Sequence, residues 1–285
     1  MLRICTEKEF DRYVDFAYGL ALDPEKSGYP TYCDGIKTKA MFVERSLKAF
    51  ERETEQMLLF EHEGEVQGLI HFYWIPEDHY LQTNCFNINR MPEQALAEFL
   101  AYVSERFHGY DLFMGFPAAN HAAVQFFAEH GFECIEDDYN NTAFPDRLSE
   151  LPVGGSLVRI GRENYDLFRT LHNQIEGDMY WDSDRISDNL DNWIIFVKER
   201  DGKPRGAVYS VDIDDDWSEI FGIDMDQGTY DPEAFTELLS AALMDAKHRN
   251  IRAVTFFCEE EYQETAVKCG FTCIGHYLCH KLRLE

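Results

Sequence analysis

The chain reads AEHGFECIEDD at residues 128–138 and VKCGFTCIGHY at residues 267–277, so Gly-Phe-x-Cys-Ile is written twice, 139 residues apart. Each time a stretch with helical periodicity runs into Gly-Phe, and an alternating stretch follows. A glycine just past a helix end adopts the left-handed conformation cheaply, and the apolar residue after it makes the contact that accompanies such a cap. Gly131-Phe132 and Gly270-Phe271 therefore read as two helix stops, each opening a strand. The cysteines behind them are expected to be small packing residues.

The repeat extends upstream. LFEHEGEVQGLIHFY (59–73) answers VKERDGKPRGAVYSV (197–211), with Gly64 and Gly68 matching Gly202 and Gly206 at an offset of 138. Both read as strand, tight turn, strand. PEQALAEFLAYVSERF (92–107) and PEAFTELLSAALMDAK (232–247) follow; their apolar stripes, Leu96, Phe99, Leu100, Val103, Phe107 and Phe235, Leu238, Leu239, Ala242, Ala246, match at 139. Near the two starts, Arg3-Ile4-x-x-Glu7 matches Arg159-Ile160-x-x-Glu163 at an offset of 156, so the first copy carries extra residues around 23–39. Thr6-Glu7-Lys8-Glu9 has the capping-box pattern and is expected to start the first helix. Residues 1–145 and 157–285 then form two α/β domains. FPDRLSELPVGGS (144–156), with two prolines and paired glycines, is the linker stretch, and 146–156 is the expected linker.

Composition narrows the function. With 285 residues, of which 45% are hydrophobic, the chain can build packed cores. The net charge of −27 repels phosphate backbones and anionic membranes, which argues against nucleic-acid or membrane partners. It suits a cationic substrate such as an amine, and equally serves solubility. No stretch approaches a membrane span, and eight cysteines without a signal-like start are expected to be reduced thiols in a cytoplasmic protein. The oligomeric state is not readable.

Two metal-like patterns have simpler readings. Cys269, Cys273, His276, Cys279 and His280 have zinc-ligand composition, but FTCIGHYLCHKLRL alternates like a strand. A straight strand would set Cys273 and Cys279 about 20 Å apart, whereas zinc needs its ligands within ~2.3 Å of one ion. DIDDDW (212–217) lacks the glycine and terminal glutamate of a calcium loop and reads as a hairpin tip. No metal is expected.

The order helix, Asn-x-x-Ala-x-x-x-aromatic-x-x-x-Gly-Phe, strand stands here as Asn120, Ala123, Phe127, Gly131 and Phe132. It resembles the C-terminal part of the GNAT superfamily of N-acetyltransferases, and the hairpin, strand and long helix before it also follow GNAT order. The resemblance covers both copies. It implies an α/β fold of two GNAT-like domains, each a mixed, mostly antiparallel sheet flanked by helices. It further implies an acyl-CoA-dependent N-acyltransferase that moves an acetyl group from acetyl-CoA to a small amine. A GNAT-fold protein without catalysis, serving ligand binding or protein interaction, is the other reading left open. Aminoacyl transfer from tRNA, known among tandem relatives, is disfavoured by the charge.

In GNAT enzymes the loop before the long helix carries Gln/Arg-x-x-Gly-x-Gly/Ala, and its amides with the helix N-terminus hold the coenzyme A pyrophosphate. By this resemblance Ile88, Arg90, Ala95, Asn120 and Phe127 are the coenzyme-side residues of the first copy, with Glu93 in place of the central glycine. The second copy keeps Gln227 and Gly228, but Asp231-Pro232 is a good helix start and sets a carboxylate where the pyrophosphate is expected. On this comparison the first copy is the better coenzyme site. Family members often protonate the leaving thiolate with a tyrosine where this chain has Phe127 and Ala266. The same change also reads as core repacking, with Ala123 and Phe127 becoming Tyr262 and Ala266. Glu219 stands where the family keeps a water-assisted base. Asp178, Tyr180, Trp181 and Asp182, with the extra segment of the first copy, are expected beside the amine, unless those aromatics simply pack inward.

Overall fold

The matched glycines at 64 and 202 are hairpin tips. Glu63-Gly64 and Asp201-Gly202 both lie at positive φ, 52° and 80° in the first pair, 54° and 71° in the second. Such two-residue turns match the twist of the strands they join. The computed structural model describes residues 1–151, 153–175 and 180–285.

Residues 1–138 and 275–285 form one compact unit. In chain order it contains β1 (Leu2–Ile4), α1 (Glu7–Ala21), α2 (Lys39–Glu51), β2 (Glu55–His62), β3 (Glu65–Ile75), β4 (Tyr80–Ile88), α3 (Pro92–Ser104), β5 (Asp111–Pro117) and α4 (His121–Glu129). The capping box forms as expected: the Thr6 amide donates to Glu9 Oε2 at 2.9 Å. That backbone hydrogen bond, with the Thr6 hydroxyl behind it, holds the Glu9 carboxyl down at about 2. The strands lie in the order β1, β2, β3, β4, β5 and then Tyr277–Arg283 of the final strand, β12 (Thr272–Arg283). Only β4 and β5 are parallel. Phe10, Ala17 and Phe42 from α1 and α2 cover one face against Leu59 and Leu69. Leu96, Phe99, Val103 and Phe127 cover the other against Phe60, Ile70 and Phe72.

Residues 139–274 form the second unit. It holds Tyr139–Ala143 of β6 (Glu133–Ala143), β7 (Leu157–Arg159), α5 (Asp166–His172), α6 (Ser183–Asp188), β8 (Trp193–Arg200) and β9 (Lys203–Asp212), followed by β10 (Trp217–Met225), α7 (Pro232–His248), β11 (Ala253–Cys258) and α8 (Glu260–Lys268). The order β6, β11, β10, β9, β8, β7 reproduces the first sheet strand for strand, again with a single parallel pair, β10 and β11. The stripe Phe235, Leu238, Leu239, Ala242, Ala246 is buried under α7. Phe168, Leu171 and Ile186 from α5 and α6 pack on Ile195, Val197 and Tyr209 of the opposite face.

The compact units differ from the sequential boundaries at 145 and 157 in one respect. The strand that follows α4 completes the second sheet, and the strand that follows α8 completes the first. The glycines that precede those strands behave as expected, with φ of 76° at Gly131 and 101° at Gly270. Their cysteines do not: Cys134 and Cys273 are exposed, while Cys269 and Cys279 are buried. Phe132 and Phe271 pack into a core, but the first strand residues after them are exposed, and each strand is buried only further along. Among the described residues no helix is long and apolar enough to cross a membrane.

Candidate active site

Both units part their single parallel pair after a short contact. In the second unit β10 and β11 pair from Trp217↔Ala253 to Ile220↔Phe256 and then diverge. In the first, β4 and β5 pair only from Tyr80↔Asp111 to Gln82↔Phe113. Each leading strand carries a bulge beside the parting point: the ladder to its other neighbour skips Asn84 in β4 and Phe221 in β10. Parted parallel strands present backbone N–H and C=O groups to each other across a cleft, and those groups require partners.

In the first unit they have them from within the chain. The Gly28 amide donates to Phe86 O at 2.8 Å, Ile88 N donates to Lys26 O at 2.9 Å, and Tyr29 N donates to Gly115 O at 2.7 Å. Asn120 Nδ2 adds a hydrogen bond to Ser27 O at 3.2 Å, while its Oδ1 caps α4 by accepting from Ala123 N at 3.3 Å. The extra segment of the first copy, expected beside an amine, thus lies between β4 and β5. Ile88 and Asn120, expected to face a coenzyme, hold this segment. Ala95 and Phe127 are wholly buried in the core, Phe127 against Phe116, Phe132 and the His280 ring. Arg90 is exposed, and Met91 starts α3 in the left-handed conformation at φ 58°, with no side-chain cap. A cavity of about 330 Å³ between α3 and α4 is lined by Glu93, Gln94, Gln125, Phe126, Glu129 and His130 among others. Its two carboxylates oppose a pyrophosphate. The bonded segment and these carboxylates both count against coenzyme A in the first unit, the copy that the loop sequences favour.

The second unit assembles more of the expected residues. Glu219 sits half-buried on β10 between Val211 and Thr255. Ile220 points into the α7 core, so by alternation Glu219 faces the α5–α6 side. On that side the Phe221 ring at the bulge meets Trp193 at 5.2 Å, Trp193 meets Trp181 at 5.4 Å, and Trp181 meets Tyr180 at 5.3 Å. Tyr180 and Phe221 are each 39% exposed, so this aromatic wall reaches the surface. Asp182 caps α6, accepting from Arg185 N at 2.8 Å, and Arg185 covers the Tyr180 ring at 4.2 Å. Asp178 lies outside the described residues.

At the start of α7, Gln227 and Gly228 turn at φ 56° and 62°, and the Gln227 amide donates to Gln174 Oε1 at 2.7 Å. Asp231 Oδ1 accepts from Glu233 N at 3.1 Å and Ala234 N at 3.2 Å. The carboxylate expected at the pyrophosphate position is there, and it satisfies the amides an anion would use. The Gln227 amide and the first α7 amides are thus bonded within the chain, and the Asp231 charge opposes a phosphate. Tyr230 spans from this loop to α8, its hydroxyl 2.6 Å from Thr265 Oγ1 and its ring 5.1 Å from Tyr262.

Two residues escaped the sequence reading. His172, fully buried, places Nδ1 2.7 Å from Asp224 Oδ2, and its Nε2–H donates to the Trp181 carbonyl at 2.9 Å. The pair ties the aromatic wall to the far end of β10. Asp224 occupies the place of Asn87 in the first unit, since each precedes the strand residue paired with the matched glycine, Gly206 or Gly68. Asn87 in turn donates from Nδ2 to Ala17 O of α1 at 3.3 Å.

No protein-family model matches the sequence, and no curated protein matches it. Solved structures do match. A GCN5-related N-acetyltransferase from Sphaerobacter thermophilus superposes with a TM-score of 0.66 at 12% identity, over 100% of this chain and 96% of that one. A tandem GNAT protein from the clavulanic acid biosynthesis pathway gives 0.54 at 12% identity, over 100% and 98%. The GCN5-related glucosamine N-acetyltransferase region of a fungal multi-domain GH3 β-N-acetylglucosaminidase gives 0.62 at 9% identity, over 99% of this chain and 38% of that one. At such identities the likeness is one of fold.

Proposed function

We propose, from the tandem GNAT fold that this chain carries, that it is an N-acyltransferase acting on a small amine, with its working cleft in the second unit. The observation that supports this is the coincidence, on β10, of the parting point, the bulge at Phe221 and Glu219 two residues earlier, beside an aromatic wall. Acetyl-CoA would supply the activated acyl group. Glu219 takes the proton from the attacking amine, directly or through water. A backbone N–H left out of the ladder by the bulge is a donor for the acyl oxygen, where negative charge develops. The aromatic wall receives the amine, and the negative charge of the whole chain attracts it when protonated. With Phe127 and Ala266 buried at the places of the family tyrosine, the leaving sulfur takes its proton from water, so turnover is expected to be slow.

Mixing the protein with acetyl-CoA and a panel of amines should release free thiol. Glu219→Gln should lower kcat/KM by about 10²- to 10⁴-fold. Acetyl-CoA at a hundredfold excess over Kd should stabilise the fold by about 2.7 kcal/mol, seen as a rise in Tm. The second reading, a GNAT-fold protein that binds without catalysis, draws on Asp231 at the α7 start. No thiol release and no Tm shift at millimolar acetyl-CoA would rule out the enzyme reading.

A further inference from the structure

The first unit disagrees with its own fold. Its parted strands would admit the amide-bearing arm of coenzyme A, yet Lys26–Tyr29 already bonds to both: Phe86 and Ile88 on β4, Gly115 on β5. We propose that this segment is a built-in occupant of the first cleft, a peptide that pairs where a pantetheine arm would pair. The chain therefore offers a coenzyme at most one site, in the second unit.

Three observations show that the segment is built for the position. Ser27 and Gly28 are buried, and a Cβ on Gly28 would lie 3.0 Å from Phe86 Cβ and 3.3 Å from Phe86 N, so any larger residue would push the segment or Phe86 aside by a few tenths of an ångström. The approach is set by a turn at Asp23, whose carbonyl accepts from Lys26 N and Ser27 N at 3.0 Å each and whose Oδ1 accepts from Glu25 N at 3.0 Å. The exit is set by a buried ion pair between Lys37 and Asp34, where Asp34 Oδ1 also accepts from Ile36 N and Lys37 N at 2.9 Å each. Between these clips the Tyr29 ring meets Tyr277 at 4.7 Å. The bonding pattern is the addition of a strand to exposed sheet edges, made here within one chain.

Amide hydrogen exchange on the full chain, read residue by residue, tests the occupant directly. The Gly28 and Tyr29 amides should exchange roughly a hundredfold or more slowly than those of the exposed Gly64 turn, with or without millimolar acetyl-CoA. Fast exchange of Gly28 and Tyr29, or protection lost on adding acetyl-CoA, would overturn the proposal. Calorimetric titration gives a second reading. One site per chain, weakened by Gln227→Glu and indifferent to Gln94→Glu at the start of α3, agrees with it; two sites, or one abolished by Gln94→Glu, refutes it. Gly28→Val should crowd the segment out and speed exchange at the Tyr29 amide roughly tenfold or more. Unchanged protection there would count against the occupant, and if that variant does not fold, exchange in the parent chain still decides. The inference goes beyond the acyltransferase reading and does not depend on it. A titration with no binding at all would sink that reading while exchange at Gly28 still settled this one.

Discussion

His71 and Glu55 show how one buried pair sets acid sensitivity. Both are nearly inaccessible, with His71 Nε2 2.8 Å from Glu55 Oε2 and Arg52 Nη1 2.8 Å from Glu55 Oε1. Burial pushes the His71 ring below its usual 6.5; the hydrogen bond and charge of Glu55 pull it up, and Arg45 and Lys48 push it down again. Burial raises Glu55, but the hydrogen bond and charge of His71, then those of Arg52, outweigh it and leave the carboxyl below 4.5. Both folded-state values are therefore depressed. The stability they confer is present at neutral pH and falls as protons bind, first as pH drops through and below 6.5, then below 4.5. Melting temperatures between pH 7.5 and 5 should fall, and His71→Gln, which keeps a donor toward Glu55, should flatten that slope. An unchanged slope in the variant would assign the acid sensitivity elsewhere. Cys85, beside this pair on β4, is buried and pushed up to about 12, so it stays a thiol across the same range.

The α7 start is the element whose chemistry most directly limits the proposed reaction. Asp231→Ser keeps a good cap, so helix stability should change by only a few tenths of a kcal/mol. Removing the carboxylate should tighten coenzyme binding roughly two- to fivefold, the weight of one charge at a helix N-terminus. Unaltered affinity would mean the phosphates bind elsewhere. This cap was legible in the sequence because Asp231, Pro232, Glu233 and Ala234 are neighbours, and local bonding decides local structure. So were the two left-handed glycines after α4 and α8 and the paired turns at 64 and 202. The occupant of the first cleft was not, because Gly28 meets Phe86 across 58 residues of chain and Tyr29 meets Gly115 across 86. His172 and Asp224, 52 residues apart, were hidden for the same reason. The exposed cysteines were misread because alternation tells which residues share a face, not where along a strand the core begins.

At the scale of the molecule, the repeat made the succession of elements along each copy readable but not which sheet each closing strand joins. Since Tyr277–Arg283 pairs with Asp111–Pro117, residues 1–145 alone would leave β5 with a bare edge and its core without Leu282 and Leu284. That fragment should fail to give a cooperative melt by circular dichroism and should self-associate on size exclusion. A monomeric fragment with a sharp transition would show the exchange to be dispensable. The exchange also has a consequence in the time of synthesis. Pro117 and its partner Tyr277 are separated by 160 residues, and a ribosome adding about 5–20 residues per second needs roughly 8–32 s to cross that interval. During it the first sheet waits on the polysome with an open edge, so neither half of this chain can finish folding before both have been translated.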